Sequence, residues 1–217
     1  MGLRKRARLF LRDRGYPLPR FLLREKELFA RHVTNSLTRR DIVIDLGAHI
    51  GLMSQEFARR AGHVHAFEPN PATFQQLCHN TRNYSRITPI NAGVDATAGT
   101  AKLYFDVSEE QPFSQGATLI ENKSNVKDRQ GTDVKIVRLS DFILSLDQPV
   151  TMIKMDIEGA EYRVIADLLE SPAMDLIGKV WAEPHEDRIP GLAEDRARIE
   201  ARIAELGYGE KFSFDWH

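Results

Sequence analysis

The sequence predicts an α/β fold: a doubly wound, mostly parallel β-sheet with helices on both faces. Two observations predict it. From Asp41 onward, strand-like apolar runs alternate with helix-length amphipathic stretches, which is the pattern of βαβ units around a parallel sheet. Glycines and acidic residues directly follow several predicted strands, where ligands bind in such sheets. We expect one domain over residues 41–217, preceded by a basic helical segment, residues 1–40.

The first half of the domain alternates three strands with two helices. Runs rich in branched residues predict the strands, and helical spacing of apolar residues predicts the helices. Gly62 ends the first helix, and Pro71 falls in the first turn of the second, where proline is tolerated. The predicted elements are strand Ile42–Leu46, turn Gly47–Gly51, helix Leu52–Ala61, strand His63–Phe67, a helix from Asn70 to about Asn83, and strand Ile87–Asn91.

The second half contains a long polar loop, Val107–Thr132, between two alternating strands, Thr100–Phe105 and Val134–Leu139. Such a loop is longer than most structural connections, and two interpretations remain open: a lid over a site, or a disordered excursion. The elements predicted after it are strand Val150–Met155, helix Gly159–Glu170, strand Ile177–Trp181, helix Glu194–Leu206 closed by Gly207, and strand Lys211–Phe214.

The composition is that of an ordinary soluble globular protein. The net charge is −1 and 42% of the 217 residues are apolar, so nothing global indicates a nucleic-acid partner. No stretch approaches the roughly 18 to 20 apolar residues of a membrane span, and residues 1–19 lack a secretory apolar core. The only cysteine, Cys78, cannot form an intramolecular bridge, which suits a reducing compartment. We expect a cytoplasmic location.

The N-terminal segment is basic and amphipathic. Six cationic residues surround apolar ones before residue 15, with Asp13 as the only acid before Glu25. One interpretation is a weak peripheral contact with an anionic membrane surface. The other, which we favour, is a solvated helix that packs its apolar residues against the domain. The cationic residues are Arg4, Lys5, Arg6, Arg8, Arg12 and Arg14.

A glycine turn follows the first predicted strand. Glycine at this point lets a ligand approach the backbone, so Gly47 is a candidate ligand contact. The pattern is D-x-G-x-x-x-G, and it lacks two glycines of the dinucleotide fingerprint and the Gly-Lys-Ser/Thr of a Walker loop. His49 stands where a third glycine would be, and histidine tolerates a left-handed backbone comparatively well.

An acidic residue, Glu68, follows the second strand in Phe67-Glu68-Pro69-Asn70. A carboxylate in this position can accept hydrogen bonds from both ribose hydroxyls of a bound nucleoside. The alternative is that Glu68 caps the following helix. Its spacing from the glycine turn favours ribose binding.

Three motifs together resemble the FkbM family of methyltransferases. They are V-I-D-L-G-A-H-I-G, A-F-E-P-N and I-K-M-D-I-E-G-A-E, and the resemblance covers about Asp41 to Pro184. It implies a Rossmann-like class I methyltransferase fold, S-adenosylmethionine as the methyl donor, and O-methylation of a hydroxyl on a sugar or secondary metabolite, a small-molecule or glycan acceptor. The donor-binding residues it implies are Asp45, Gly47, Ala48, His49, Gly51, Glu68, Pro69, Val94 and Asp156.

Transfer from an activated donor requires alignment of the acceptor oxygen and removal of its proton. Candidates for the general base are Asp156, Glu158 and His185, and His185 has the most suitable ordinary pKa. These residues and Glu183 form an oxygen-rich set that is able to hold a divalent cation, but their spacing is not a metal signature and no metal ligands are assigned. Lys154 is expected to be a helix–sheet ion-pair partner.

Two other functions are compatible with this fold. One is a nicotinamide-dependent oxidoreductase, which the missing glycines disfavour. The other is a donor-binding scaffold without catalysis, which the acidic strand ends disfavour less strongly. No motif names the acceptor, and the acidic strand ends favour a polar or neutral polyol such as a sugar.

Overall fold

The computed structural model describes Leu11, residues 32–104, Thr118, residues 131–186, Ile189 and residues 191–216. Most of the basic segment 1–40 and of the loop Val107–Thr132 therefore lies outside the described residues, and so do the membrane-contact and lid interpretations. Every described helix falls short of the length and apolarity that a membrane span requires.

The described residues form nine strands and five α-helices. The strands are β1 Ile42–Leu46, β2 His63–Phe67, β3 Ile87–Ile90, β4 Gly93–Asp95, β5 Gly99–Leu103, β6 Thr132–Arg138, β7 Val150–Met155, β8 Ile177–Ala182 and β9 Phe212–Ser213. The helices are α1 Leu52–Ala58, α2 Pro71–Thr81, α3 Leu139–Ser145, α4 Glu161–Leu169 and α5 Leu192–Glu205. Short 3₁₀ turns lie at Thr34–Ser36, Pro172–Leu176 and Gly209–Lys211.

The main sheet has six strands in the order β3-β2-β1-β7-β8-β9, and every described pair in it is parallel. The chain moves outward from β1 to β3, returns to the centre at β7, and then moves outward on the other side. The carboxyl ends of β1 and β7 therefore mark the topological switch point, where such sheets bind ligands.

Hydrophobic clusters cover both faces of this sheet. All five residues of β1 are buried, as expected for a central strand with helices on both sides. Val43 packs in one cluster with Phe57 of α1 and Leu77 of α2. Ile44, whose side chain points to the opposite face, packs in a second cluster with residues of α3, α4 and α5. The doubly wound, mostly parallel fold predicted from the sequence is confirmed.

A second, three-stranded sheet has the order β4-β6-β5, with β4 parallel and β5 antiparallel to β6. It contains the two predicted alternating strands, but β4 was not predicted. The predicted strand Val134–Leu139 is wrong at its end, because α3 begins at Leu139. Phe142 of α3 stacks edge-on against His65 and Phe67 of β2, which fixes this short helix against the main sheet.

Two predicted helices are shorter than expected. The helix predicted over Leu52–Ala61 ends at Ala58. The Arg39 guanidinium donates to the carbonyl of this last residue and to those of Arg59 and Ala61 beyond it. The helix predicted from Gly159 begins at Glu161, because Glu158 and Gly159 have positive φ angles of 57° and 112° that a right-handed helix excludes. The last helix begins at Leu192, two residues before its predicted start.

Candidate active site

The carboxyl ends of four parallel strands meet at one level of the main sheet. Leu46 of β1 is in register with Phe67 of β2 and Met155 of β7, and Met155 is in register with Ala182 of β8. The loops after these strands therefore start side by side. Their first residues are Gly47, Glu68, Asp156 and Glu183.

The glycine turn after β1 contains three left-handed residues. Gly47, His49 and Gly51 have φ angles of 71°, 50° and 86°, so His49 adopts the backbone that the sequence predicted it to tolerate. A Cβ atom on Gly47 would lie 1.8 Å from the carbonyl oxygen of Asp156, and one on Gly51 would lie 2.6 Å from Leu77 Cδ1. Close packing against the Asp156 carbonyl is therefore one reason for glycine at position 47, and a ligand contact at Gly47 stays a prediction.

Glu68 is buried at the end of β2 and ties two loops together. Its Oε2 accepts the backbone N–H of His49 and its Oε1 accepts that of Asn70, each at 2.9 Å. Burial raises the pKa of Glu68 to about 7, although both hydrogen bonds favour the carboxylate. The N-cap of α2 is Asn70, whose side chain accepts the N–H of Ala72, so the capping role considered for Glu68 belongs to Asn70.

Three other predicted donor contacts surround this loop. Ala48 is buried, and its N–H donates to the carbonyl of Phe67 at 2.9 Å. Pro69 is half-buried, and its carbonyl accepts the side-chain amide of Asn91, which also donates to the Glu68 carbonyl. Val94 lies in β4, and its side chain is in the hydrophobic core. An adenine contact at Val94 remains a prediction. The Val94 side chain cannot make that contact while it is packed in the core.

A buried lysine connects the ends of β1 and β7. Lys154 Nζ lies 3.4 Å from Asp45 Oδ1 and 3.5 Å from Asp156 Oδ2, and it donates to the Gly47 carbonyl at 2.9 Å. Burial opposes the charge of Lys154, but Asp156 and Asp45 raise its pKa, so the ammonium persists. Asp45 also accepts the Ser54 hydroxyl at 2.6 Å. The ion pair predicted for Lys154 therefore joins two strand ends rather than a helix and the sheet.

His185 is buried among three carboxylates. Its Nδ1 lies 3.1 Å from Glu161 Oε1, and its Nε2 lies 3.5 Å from Glu158 Oε2 and 3.7 Å from Asp156 Oδ1. Neither ring nitrogen forms a hydrogen bond of acceptable geometry among the described residues. Burial favours the neutral imidazole, but the three carboxylates prevail and raise the pKa of His185 to about 9. The ordinary pKa that made His185 an attractive base does not apply here.

Glu161 shapes the loop that carries Asp156 and Glu158. Its Oε1 accepts the backbone N–H of Ile157 at 2.9 Å, and its Oε2 accepts that of Gly159 at 2.8 Å. The left-handed Glu158 lies between them, and its carbonyl accepts the Thr118 hydroxyl at 2.7 Å. Sequence reasoning gave Glu161 no role, although it is the last residue of the third motif.

The four residues considered for a divalent cation do not all converge. In the described part of the chain, one potential ligand atom from each of Asp156, Glu158 and His185 lies within 4.8 Å of the other two. Glu183 is not a member of this group; its charge acts on Lys154 instead. The structure thus brings together the three residues that the sequence proposed as general bases.

The parallel sheet covered on both faces, the left-handed glycine turn after β1 and the acidic residues at the switch point fit a Rossmann-like class I methyltransferase fold. Residues 45–208 match the methyltransferase FkbM domain. The chain therefore belongs to the FkbM methyltransferase family, and membership implies S-adenosylmethionine as its methyl donor. This assignment argues against the nicotinamide-dependent alternative.

One curated relative is the hexuronic acid methyltransferase AglP of Haloferax volcanii, which is 27% identical over 180 residues, 79% of this chain and 69% of the relative. Among solved structures, the 23S rRNA methyltransferase ErmE has a TM-score of 0.40 at 18% identity over 73% of this chain, which spans 45% of the ErmE chain. A precorrin 8w decarboxylase from Methanobacterium thermoautotrophicum has a TM-score of 0.47 at 12% identity, covering 88% of this chain and 74% of its own.

Proposed function

We propose that the chain transfers a methyl group from S-adenosylmethionine to a hydroxyl oxygen of a sugar. The observation that carries this proposal is the pairing of two groups on either side of β1. Glu68, suited to ribose hydroxyls, follows β2, and the Asp156–Glu158–His185 cluster, suited to proton removal, begins after β7. The donor and acceptor halves of the site would then meet above Gly47.

Glu68 is the proposed ribose contact. Each carboxylate oxygen accepts one backbone N–H and has a second lone pair to offer. Counting the hydrogen bonds of the described residues, two acceptor positions are left for the two ribose hydroxyls. Asp45 is fully buried beneath the turn, so we propose that it positions Lys154 and the turn rather than touching the donor's amino group. The proposed neighbours of the donor's methionine portion and ribose are Gly47, Ala48, His49, Gly51, Pro69 and Asp156.

When bound, the donor supplies a methyl group already activated by its sulfonium sulfur. The chain's part is to align the acceptor oxygen with that carbon and to take up the hydroxyl proton. Because the pKa of about 9 keeps His185 of the free protein protonated at neutral pH, we assign the proton to the carboxylate of Asp156 or Glu158. An oxygen–carbon bond forms as the sulfur–carbon bond breaks, and S-adenosylhomocysteine leaves.

Two observations support a sugar as the acceptor. The relative AglP is named for a hexuronic acid, and carboxylates such as those of Asp156 and Glu158 accept hydrogen bonds from hydroxyl groups. The same carboxylates would repel a strongly anionic polymer. We therefore propose a sugar hydroxyl in a neutral or weakly acidic glycan.

The test uses donor labelled on its methyl group and a panel of neutral sugars, hexuronic acids and amino sugars. We expect labelled methyl ethers, located by NMR. We also expect an at least 100-fold lower rate for Asp156→Asn or Glu158→Gln, whichever removes the carboxylate that takes up the proton, in the range of general-base contributions. The matched control is Asp133→Asn, which changes an exposed carboxylate paired with Lys102 on the second sheet. Methyl transfer to nitrogen alone, or full activity of both Asp156→Asn and Glu158→Gln, would contradict the proposal.

A further inference from the structure

The unusual feature of the site is a buried histidine whose Nε2 has no hydrogen-bond partner among the described residues. His185 is 1% exposed, and neither ring nitrogen forms a hydrogen bond of acceptable geometry among the described residues. An imidazole buried in this way normally satisfies its nitrogens. Its Nε2 points between two carboxylates, Asp156 and Glu158, neither of which approaches closer than 3.5 Å.

We propose that Asp156, Glu158 and His185 form a binding site for one divalent cation of the Mg²⁺ and Mn²⁺ class. The three ligand atoms lie within 4.8 Å of one another, and Nε2 is 3.5 and 3.7 Å from the carboxylate oxygens. Two ligands of one such ion stand about 3 to 4.2 Å apart, because each metal–ligand distance is about 2.1 Å. The separations around His185 therefore already match those of ligands around a shared ion.

Glu161 completes the site from behind. Its Oε1 lies 3.1 Å from His185 Nδ1, so it favours the tautomer that carries a proton on Nδ1 and leaves the Nε2 lone pair for a metal. A metal-binding histidine almost always gives its other nitrogen to such a carboxylate or carbonyl. Glu161 also accepts the N–H groups of Ile157 and Gly159, and so holds Asp156 and Glu158 in the same loop.

Among the described residues, the charges at this point favour a cation. Asp156, Glu158 and Glu161 surround one imidazole, and the ammonium of Lys154, which pairs with Asp156, is shared with Asp45. Two of the three ligands are carboxylates, which suit Mg²⁺ and Mn²⁺, and none is a thiolate, so we place the ion in the magnesium and manganese class. The role of the ion rests on the proposed function: it would hold the acceptor's hydroxyl oxygen and ease removal of its proton.

The test measures binding of Mn²⁺ alone to the chelator-treated full chain. We expect one site per chain by titration calorimetry and nitrogen modulation from a coordinated imidazole in the electron spin echo of Mn²⁺. His185→Gln should remove the modulation and weaken Mn²⁺ binding at least tenfold. Glu161→Gln should weaken it about 10- to 100-fold, as loss of an orienting partner does. The matched control, His79→Gln, changes an exposed histidine in α2 and should bind Mn²⁺ as the parent does.

Binding of S-adenosylhomocysteine by the same proteins separates this inference from the proposed function. His185→Gln should keep the parent's affinity for this product, which also verifies that the variant is folded. Absence of Mn²⁺ binding by the parent, or parental Mn²⁺ binding and modulation in His185→Gln, would overturn the metal site and leave the donor site standing. If the parent protein does not bind S-adenosylhomocysteine, that result would instead count against the proposed function.

Discussion

The titration of Glu68 should be visible in the stability of the protein. Burial raises the pKa of this carboxyl from its ordinary value of 4.5 to about 7. Folding therefore favours the protonated form. The contribution of Glu68 to stability is complete below pH 4.5 and is lost as the pH rises through 7.

The size of the effect follows from that pKa. A rise from 4.5 to about 7 corresponds to about 3 kcal/mol, because a tenfold change in proton affinity is worth about 1.4 kcal/mol. His65 acts in the opposite direction: burial, together with His63, lowers its pKa to about 4, so its contribution grows as the pH rises to 6.5. The pH dependence of the parent alone would thus mix two opposing titrations.

Comparison with Glu68→Gln isolates the carboxyl. We expect the free energy of unfolding, measured in urea between pH 4.5 and pH 7.5 without donor, to fall by about 3 kcal/mol more in the parent than in the variant. The lost N–H contacts of the glutamine shift its curve by a constant amount, and His65 contributes equally to both proteins. Parallel curves would refute the reasoning and show that Glu68 remains charged in the folded protein throughout this range.

Three further predictions address donor binding and packing. Glu68→Ala should weaken S-adenosylhomocysteine binding at least tenfold in titration calorimetry, a loss of about 1.4 kcal/mol. The control Glu170→Ala, which changes an exposed carboxylate, should bind as the parent does. Equal affinities of the two variants would show that Glu68 does not contact the donor. Gly47→Ala should lower the free energy of unfolding in urea by at least about 1 kcal/mol more than Gly207→Ala does. Both glycines are left-handed, but only at Gly47 would the added Cβ meet a backbone carbonyl. Equal losses of stability would contradict the packing argument. Arg39→Met should lower the free energy of unfolding by about 1 kcal/mol through loss of its bonds to three carbonyls at the end of α1, and an unchanged denaturation midpoint would count against this.

The central strands could be predicted closely from the sequence. The predicted bounds of β1, β2 and β7 agree with the structure. β1 is buried on both faces, and such a strand appears as a nearly continuous apolar run. β4 has only three residues, and it is stabilised by pairing with β6, about forty residues later in the chain. Such a strand has no local signal. At Leu139 the apolar pattern suits either structure, and only packing of Phe142 against β2 reveals that a helix has begun.

The location of the site could be predicted, but its internal contacts could not. Strand ends in a parallel sheet share one edge, so topology alone brings Glu68 and Asp156 near Gly47. The role of Glu161 depends on the left-handed backbone at Glu158, which turns two N–H groups toward one carboxylate. Nothing in the spacing of the third motif specifies that turn.

Asp156 connects the two halves of the site, since its two oxygens face different cationic groups. Oδ2 lies 3.5 Å from Lys154, which also neutralises Asp45 beneath the glycine turn, and Oδ1 lies 3.7 Å from His185 in the acidic cluster. Lys154 attracts one oxygen of this carboxylate toward the core. The other oxygen is then directed to the cluster where we place the acceptor. We therefore propose that the buried lysine of the third motif orients the Asp156 carboxylate rather than taking part in methyl transfer.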